Sequence, residues 1–365
     1  MSRRRFLATT GITAGLAASG GLLAACGSDG NADAQKTTTS DGQARGGTNN
    51  APVGPSGKDI DLSRIRGGKT IGVVSYVSEV GTLARGIKEF HRIGPEIDWK
   101  FEVVDAAGDT TKMGAIAQDF ITKKVDGLVI LNGPSAALGN RLQAATDQGI
   151  PVVGIWNEPT NGIEHVIYPS DWIGMGPMLE YVLQRIDYSG DVAVLYFDDN
   201  TPGVQRRIMW EAGLGYYAPD VRIVEKVPVR VPGQIDDARQ KVAAMLPKYP
   251  DLKAVLCGWD EPAMGALQAI DQSGRDDVWV TGSDGNLETL DLMRENPGFA
   301  ATNGADCELM SRAAVGALDE LFNGASRESL GPVTTVPSVL VTAANLPPRG
   351  QYATSTILPI YDPNA

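Results

Sequence analysis

Leu252-Lys253-Ala254-Val255-Leu256-Cys257-Gly258-Trp259-Asp260-Glu261-Pro262-Ala263-Met264-Gly265-Ala266-Leu267 is an apolar run that passes through a glycine into a helix start. The first five residues read as a buried strand. Asp260 and Glu261 suit a first helical turn, where acidic side chains meet the positive end of the helix dipole, and Pro262 is tolerated there because it lacks only an N–H with no intrahelical partner. Val278-Trp279-Val280-Thr281-Gly282 is the next strand, followed by Ser283-Asp284-Gly285-Asn286. Strand, helix and strand in this order predict parallel pairing through a right-handed crossover.

The same unit repeats outward. Upstream, Asp191-Val192-Ala193-Val194-Leu195-Tyr196 and Val221-Arg222-Ile223-Val224 extend this series back to Asp171. An earlier series holds Thr70-Ile71-Gly72-Val73-Val74, Glu102-Val103-Val104, Gly127-Leu128-Val129-Ile130-Leu131 and Pro151-Val152-Val153-Gly154-Ile155. Helical patterns separate these strands; after Asp109, residues Met113, Ile116, Ala117, Phe120 and Ile121 fall on one face. The two series break near Tyr168-Pro169-Ser170-Asp171, where proline stops a strand and Ser170 or Asp171 can cap the next helix. Two similar α/β lobes with parallel sheets are predicted, in keeping with a folded part of about 300 residues.

The chain begins Ser2-Arg3-Arg4-Arg5-Phe6-Leu7 after the initiator and reaches Leu23-Ala24-Ala25-Cys26 through a short apolar segment. A basic head, an apolar stretch and small residues describe a secretory signal over 1–25, and the arginines before Phe6 and Leu7 resemble the twin-arginine export type. Thr9, Thr10, Thr13 and Ser19 make the segment a poor permanent membrane span. Leu23-Ala24-Ala25-Cys26 resembles the lipobox of bacterial lipoproteins, which implies a lipid on Cys26 and an anchored mature protein. The alternative is an ordinary cleavage site with a coincidental cysteine. Residues 27–58 are Gly, Ser, Thr, Asn, Asp, Ala and Gln with almost no large apolar side chain, so a disordered tether is expected over 26–66.

The formal charge of −12 and pI near 4.7 argue against nucleic acid as a partner. Beyond Cys26, only Cys257 and Cys307 remain; they can pair after export or sit singly as small buried hydrophobes. His91 and His165 have no second ligand at zinc spacing, so neither metal nor cofactor is expected. Asp198 with Asp199, or Asp260 with Glu261, offers paired carboxylates for a glycosidase as a remote alternative. No nucleophile elbow or phosphate-binding Gly-Lys loop accompanies them.

As an ordered set, the motif from Gly258 to Leu267, the motif from Val280 to Gly285, and Ile71-Gly72-Val73-Val74-Ser75, Val125-Asp126-Gly127-Leu128-Val129-Ile130 and Gly149-Ile150-Pro151-Val152-Val153 resemble the type I periplasmic binding proteins of the ribose-binding family. The resemblance covers about residues 68–342. It implies an ABC-transporter substrate-binding protein, monomeric, with two Rossmann-like lobes joined by a three-strand hinge. By analogy the first lobe holds 67–169 and 305–332, and the second 170–304 and 333–365. Such lobes close on a solute and deliver it to a membrane permease. A receptor presenting the ligand to a sensor protein would use the same chemistry.

Ligands in open parallel sheets bind beyond the carboxyl ends of strands. The candidates there are 75–81, Asp105, Asn132, Trp156-Asn157-Glu158, Asp198-Asp199-Asn200, Trp259-Asp260-Glu261, Asp284-Gly285-Asn286 and 303–306. Asp284 resembles the family's hydroxyl-accepting carboxylate, with helix capping as its alternative. Arg206 and Arg207 fall where the family carries an arginine, with Gln205 a third candidate for the cleft-facing position. Trp156 and Asn157 stand where the family usually shows Asp-Arg, and Trp259 where it usually shows Asn. Those tryptophans suit the apolar face of a small sugar, sugar alcohol or cyclitol or of a less polar metabolite, or else pack the lobes. Glu158 and Asp306 complete the candidate ligand set. Trp172 and Trp210 either shield the cleft or pack in the second lobe.

Overall fold

Runs of Val, Ile and Leu buried on both faces need helices on each side, and the chain supplies them in alternation. The computed structural model describes residues 61–169, 171–355 and 358. Cys26, the signal segment and nearly all of the expected tether lie outside the described residues. The elements run β1 (Lys69–Ser75), α1 (Gly81–Ile93), β2 (Trp99–Asp105), α2 (Thr110–Lys123), β3 (Gly127–Leu131), α3 (Arg141–Asp147), β4 (Val152–Ile155) and β5 (His165–Pro169). Next come α4 (Asp171–Arg185), β6 (Gly190–Tyr196), α5 (Thr201–Tyr217), β7 (Val221–Pro228), α6 (Gln234–Met245), β8 (Leu252–Cys257), α7 (Asp260–Ser273), β9 (Trp279–Thr281), α8 (Leu287–Glu295) and β10 (Phe299–Ala305). The described chain closes with α9 (Cys307–Phe322), α10 (Arg327–Leu330), β11 (Val333–Val336) and β12 (Ser338–Thr342).

Two six-stranded sheets result, ordered β11-β5-β4-β3-β1-β2 and β12-β10-β9-β8-β6-β7. Every pairing is parallel except β10 with β12. The chain passes between lobes after β5, after β10 into α9, and at Pro337 between β11 and β12. Helix α9 belongs with the first lobe, where Leu309, Met310, Ala313 and Leu318 join the core around Phe90 and Val129.

Two expected boundaries shift. Val333–Val336 was expected to open the second lobe, but it pairs with β5 and so extends the first sheet. At the other end, residues 61–66 leave the expected tether. Leu62 and Ile65 pack against the first-lobe core, Asp61 accepts from Ser63 N at 3.2 Å, and Trp99 Nε1 donates to the Arg66 carbonyl at 2.7 Å. Two apolar side chains suffice to dock that stretch.

Cys257 and Cys307 are buried, unbonded thiols in separate core clusters, which removes the disulfide alternative. Burial pushes both thiols up. Trp210 is buried in the second-lobe core, whereas Trp172 is 44% exposed. Among the described residues, no helix is long and apolar enough to cross a membrane.

Candidate functional site

The carboxyl ends of the two sheets carry loops that meet around one pocket, with about 510 Å³ of atom-free space counted out to its mouth. From the first lobe come Tyr76 and Val77 after β1, Val80, Thr82 and Leu83 around the start of α1, Asn132 after β3 and Trp156 after β4. The second lobe supplies Phe197 and Asn200 after β6, Pro202, Gly203 and Arg206 from α5, Val231 after β7, Gly258 and Trp259 after β8, and Asp284 after β9. Gly203 lets α5 approach β6 closely: a Cβ there would lie 1.9 Å from the Phe197 carbonyl oxygen.

Three wall residues have positive φ, which favours glycine: Asn132 at 65°, Trp156 at 59° and Asp284 at 124°. Side chains larger than glycine adopt such angles at an energetic cost, and packing must hold them there. For Asp284 the hold is visible. Its N–H donates to the Asn303 carbonyl at 2.6 Å, and its own carbonyl accepts from Ala305 N at 3.1 Å, a local bridge to β10.

Arg206 is the buried cation of the site. Its Nε donates to Asp171 Oδ1 at 2.7 Å, and Nη1 donates to the Gly258 carbonyl at 2.8 Å and to Asp284 Oδ1 at 3.2 Å. Both carboxylates stabilise the guanidinium against desolvation, so it stays charged. Burial pushes the Asp171 and Asp284 carboxyls up, with Arg206 opposing that rise in each. Asp171 thus orients Arg206 from the opening residue of α4.

Arg207 faces elsewhere. It donates to Asp198 at 2.8 Å and Glu211 at 3.1 Å and stacks over Tyr196. Of the three neighbouring candidates, Arg206 alone lines the pocket; Gln205 lines a shallower depression with Glu158 and Asp198. Glu158 accepts from the Thr201 hydroxyl at 2.6 Å across the two lobes. Asn157 is fully buried beneath the wall, donating to the Gly133 carbonyl at 3.2 Å, and Asp306 accepts from Leu309 N at 2.9 Å as the N-cap of α9. Neither touches the pocket.

Asp284 does not cap α8, and the backbone donor just before that helix is taken by Asp260. Its Oδ2 accepts from Asn286 N at 2.9 Å, before α8, and Oδ1 accepts from the Thr302 hydroxyl at 2.6 Å. Burial pushes this carboxyl up to about 7. Trp259 does line the pocket, its ring edge-on to Phe197 at 5.9 Å between centroids. Phe197, Leu83 and Val231 were not singled out from sequence. Leu83 on α1 and Val231 after β7 read as apolar core residues, although the strand-end rule reaches Phe197, directly after β6.

The periplasmic binding protein domain family is matched over residues 71–326. The chain is 30% identical to the ribose import binding protein of Bacillus subtilis over 231 residues, covering 62% of this chain and 72% of that one. Among solved structures, an ABC transporter solute-binding protein from Agrobacterium vitis with bound allitol aligns with a TM-score of 0.70 at 25% identity, over 76% of this chain and 96% of that one. A 5-methylthioribose transporter solute-binding protein from Thermotoga lettingae aligns with a TM-score of 0.69 at 26% identity, over 75% and 87% respectively. These relatives are binding proteins, not enzymes.

Proposed function

This chain belongs to the periplasmic binding protein domain family, and on that premise we propose that it captures a small sugar, sugar alcohol or cyclitol for an ABC importer. The observation that carries the reading is Arg206 beside Asp284 in the wall of a pocket between two lobes. A carboxylate accepts from hydroxyl donors, a guanidinium donates to hydroxyl oxygens, and aromatic rings cover C–H faces. Relatives named for ribose and 5-methylthioribose, and one solved with bound allitol, support this chemical class.

The proposal extends to the cell surface. Residues 1–25 direct export, Cys26 carries a lipid, and the segment after it tethers a monomeric two-lobed body within reach of a membrane permease. Labelled lipid incorporated by the wild type and lost in Cys26→Ala supports the anchor; unchanged labelling refutes it. For the solute, a thermal-shift screen across sugars, polyols and cyclitols is the test, since a ligand at 100 times its Kd adds about 2.7 kcal/mol. No shift with any of them would overturn the polyol reading.

A further inference from the structure

Trp156 stands in the pocket wall after β4, is 3% exposed, and its indole Nε1 has no hydrogen-bond partner among the described residues. A buried N–H left unpaired costs free energy, which an acceptor on a bound solute would recover. Trp210 Nε1 also lacks a partner, but Trp210 packs in the second-lobe core and does not line the pocket. The backbone of Trp156 lies at positive φ, and its N–H donates to the Ile167 carbonyl of β5 at 2.9 Å, so the residue is held against an unfavourable local conformation. Around it the first lobe presents the hydroxyls of Tyr76 and Thr82 and the amide of Asn132, whose Oδ1 already accepts from Gly133 N at 2.5 Å. A solute hydroxyl at that wall can accept from an N–H and donate its own proton to a neighbouring hydroxyl.

We infer that Trp156 recognises the solute through its indole N–H, donated to a solute oxygen on the first-lobe side, and so selects for an oxygen substituent at that position. This rests on the polyol-binding reading above and deepens it: Asp284 and Arg206 meet one edge of the polyol from the second lobe, and the Trp156 N–H answers from the first. A tryptophan that only covered a C–H face would act alike on polyols of similar size, whereas an N–H donor is satisfied only where an oxygen stands opposite it. A solute lacking that oxygen leaves the donor buried and unpaired, which is the condition under which one missing group gives strong discrimination.

The test takes whichever of ribose, allitol and myo-inositol binds the purified protein, with its monodeoxy analogues, in calorimetric titrations of wild type and Trp156→Phe. Phenylalanine keeps an aromatic face and removes the N–H. Trp156→Phe should weaken binding of the parent polyol by about tenfold or more, and that loss should be about three- to tenfold smaller for one analogue, the one without the accepting oxygen. In protein labelled with nitrogen-15, which carries six tryptophans, the indole resonance absent from Trp156→Phe should move downfield when the parent polyol saturates the wild type. Equal losses for the parent and every analogue, or an indole proton that stays in place or moves upfield, overturn the N–H inference and leave the polyol reading standing. If none of the three polyols binds, the polyol reading falls and this inference with it.

Discussion

Glu261, in the first turn of the second lobe's α7, accepts a hydrogen bond at 3.1 Å from the backbone N–H of Gly81, which opens α1 in the first lobe. A carboxylate of one lobe thereby sits at the positive end of a helix in the other. Elsewhere across the cleft, Thr201 of the second lobe donates to Glu158 of the first at 2.6 Å. Arg85 on α1 lies 3.5 Å over the ring of Tyr352 in the segment after β12. Any opening that moved α1 away from α7 would break the Glu261–Gly81 bond, which latches the lobes together as they stand in this structure.

Glu261→Ala should therefore weaken ligand binding by roughly tenfold, about 1.4 kcal/mol, because closure must proceed without the latch. Glu261→Gln keeps an acceptor oxygen and should lose less. Calorimetric Kd values for both variants, with small-angle scattering of the ligand-free protein, check this; an unchanged Kd in Glu261→Ala contradicts it.

Arg206 and Arg207 are adjacent in sequence and should differ sharply on removal. Arg206→Ala leaves Asp171 and Asp284 buried without their cation and should cost about 3–5 kcal/mol of stability. Arg207 pairs with half-exposed Asp198 and Glu211, so Arg207→Ala should cost about 0–1 kcal/mol. Urea unfolding midpoints decide, and equal losses would contradict the assignment.

Asp260 links stability to pH. Burial raises its folded-state pKa from 3.8 to about 7, so between those values the native state binds more protons than the unfolded chain. Its contribution to stability is thus fully present below about 4 and is lost as pH rises through 7. Asp171, Glu261 and Asp284, also raised by burial, carry the same sign. His165, lowered by burial, opposes them as pH falls through the ordinary histidine range. Subtracting the Asp260→Asn profile from wild type isolates the Asp260 term: the wild-type advantage should shrink from pH 5 to about 7 and level off above it. A flat difference would mean that Asp260 is ionised throughout.

Trp259 and Trp172 provide a paired control. Trp259, packed on Phe197 in the pocket wall, should lose about 3–5 kcal/mol on Trp259→Ala, together with ligand affinity. Trp172→Ala, at an exposed site, should stay within about 0.5 kcal/mol. Melting temperatures and titrations of the two variants measure both effects.

The lobes were legible because β1, β3 and β8 are apolar runs bounded by turns, and such strands must be buried wherever the chain goes. Strand β10 was not. Phe299-Ala300-Ala301-Thr302-Asn303-Gly304-Ala305 is too small and too polar to announce a strand, yet all seven residues are buried. Its smallness answers a distant neighbour, since a Cβ on Gly304 would lie 2.2 Å from the Ala353 carbonyl oxygen.

By itself the sequence determined two alternating α/β series, their strand ends, and hence that Asp284, Trp156 and Trp259 stand at loop positions beyond strands. That follows from periodicity, which is local. Only the tertiary structure decided that Arg206 rather than Arg207 enters the pocket. Successive helical residues point about 100° apart, and the choice between them is made by Asp171 on another helix. The same holds for Glu261: a first-turn acid by its sequence position, it becomes an interlobe latch because folding places the N-terminus of α1 within hydrogen-bond reach.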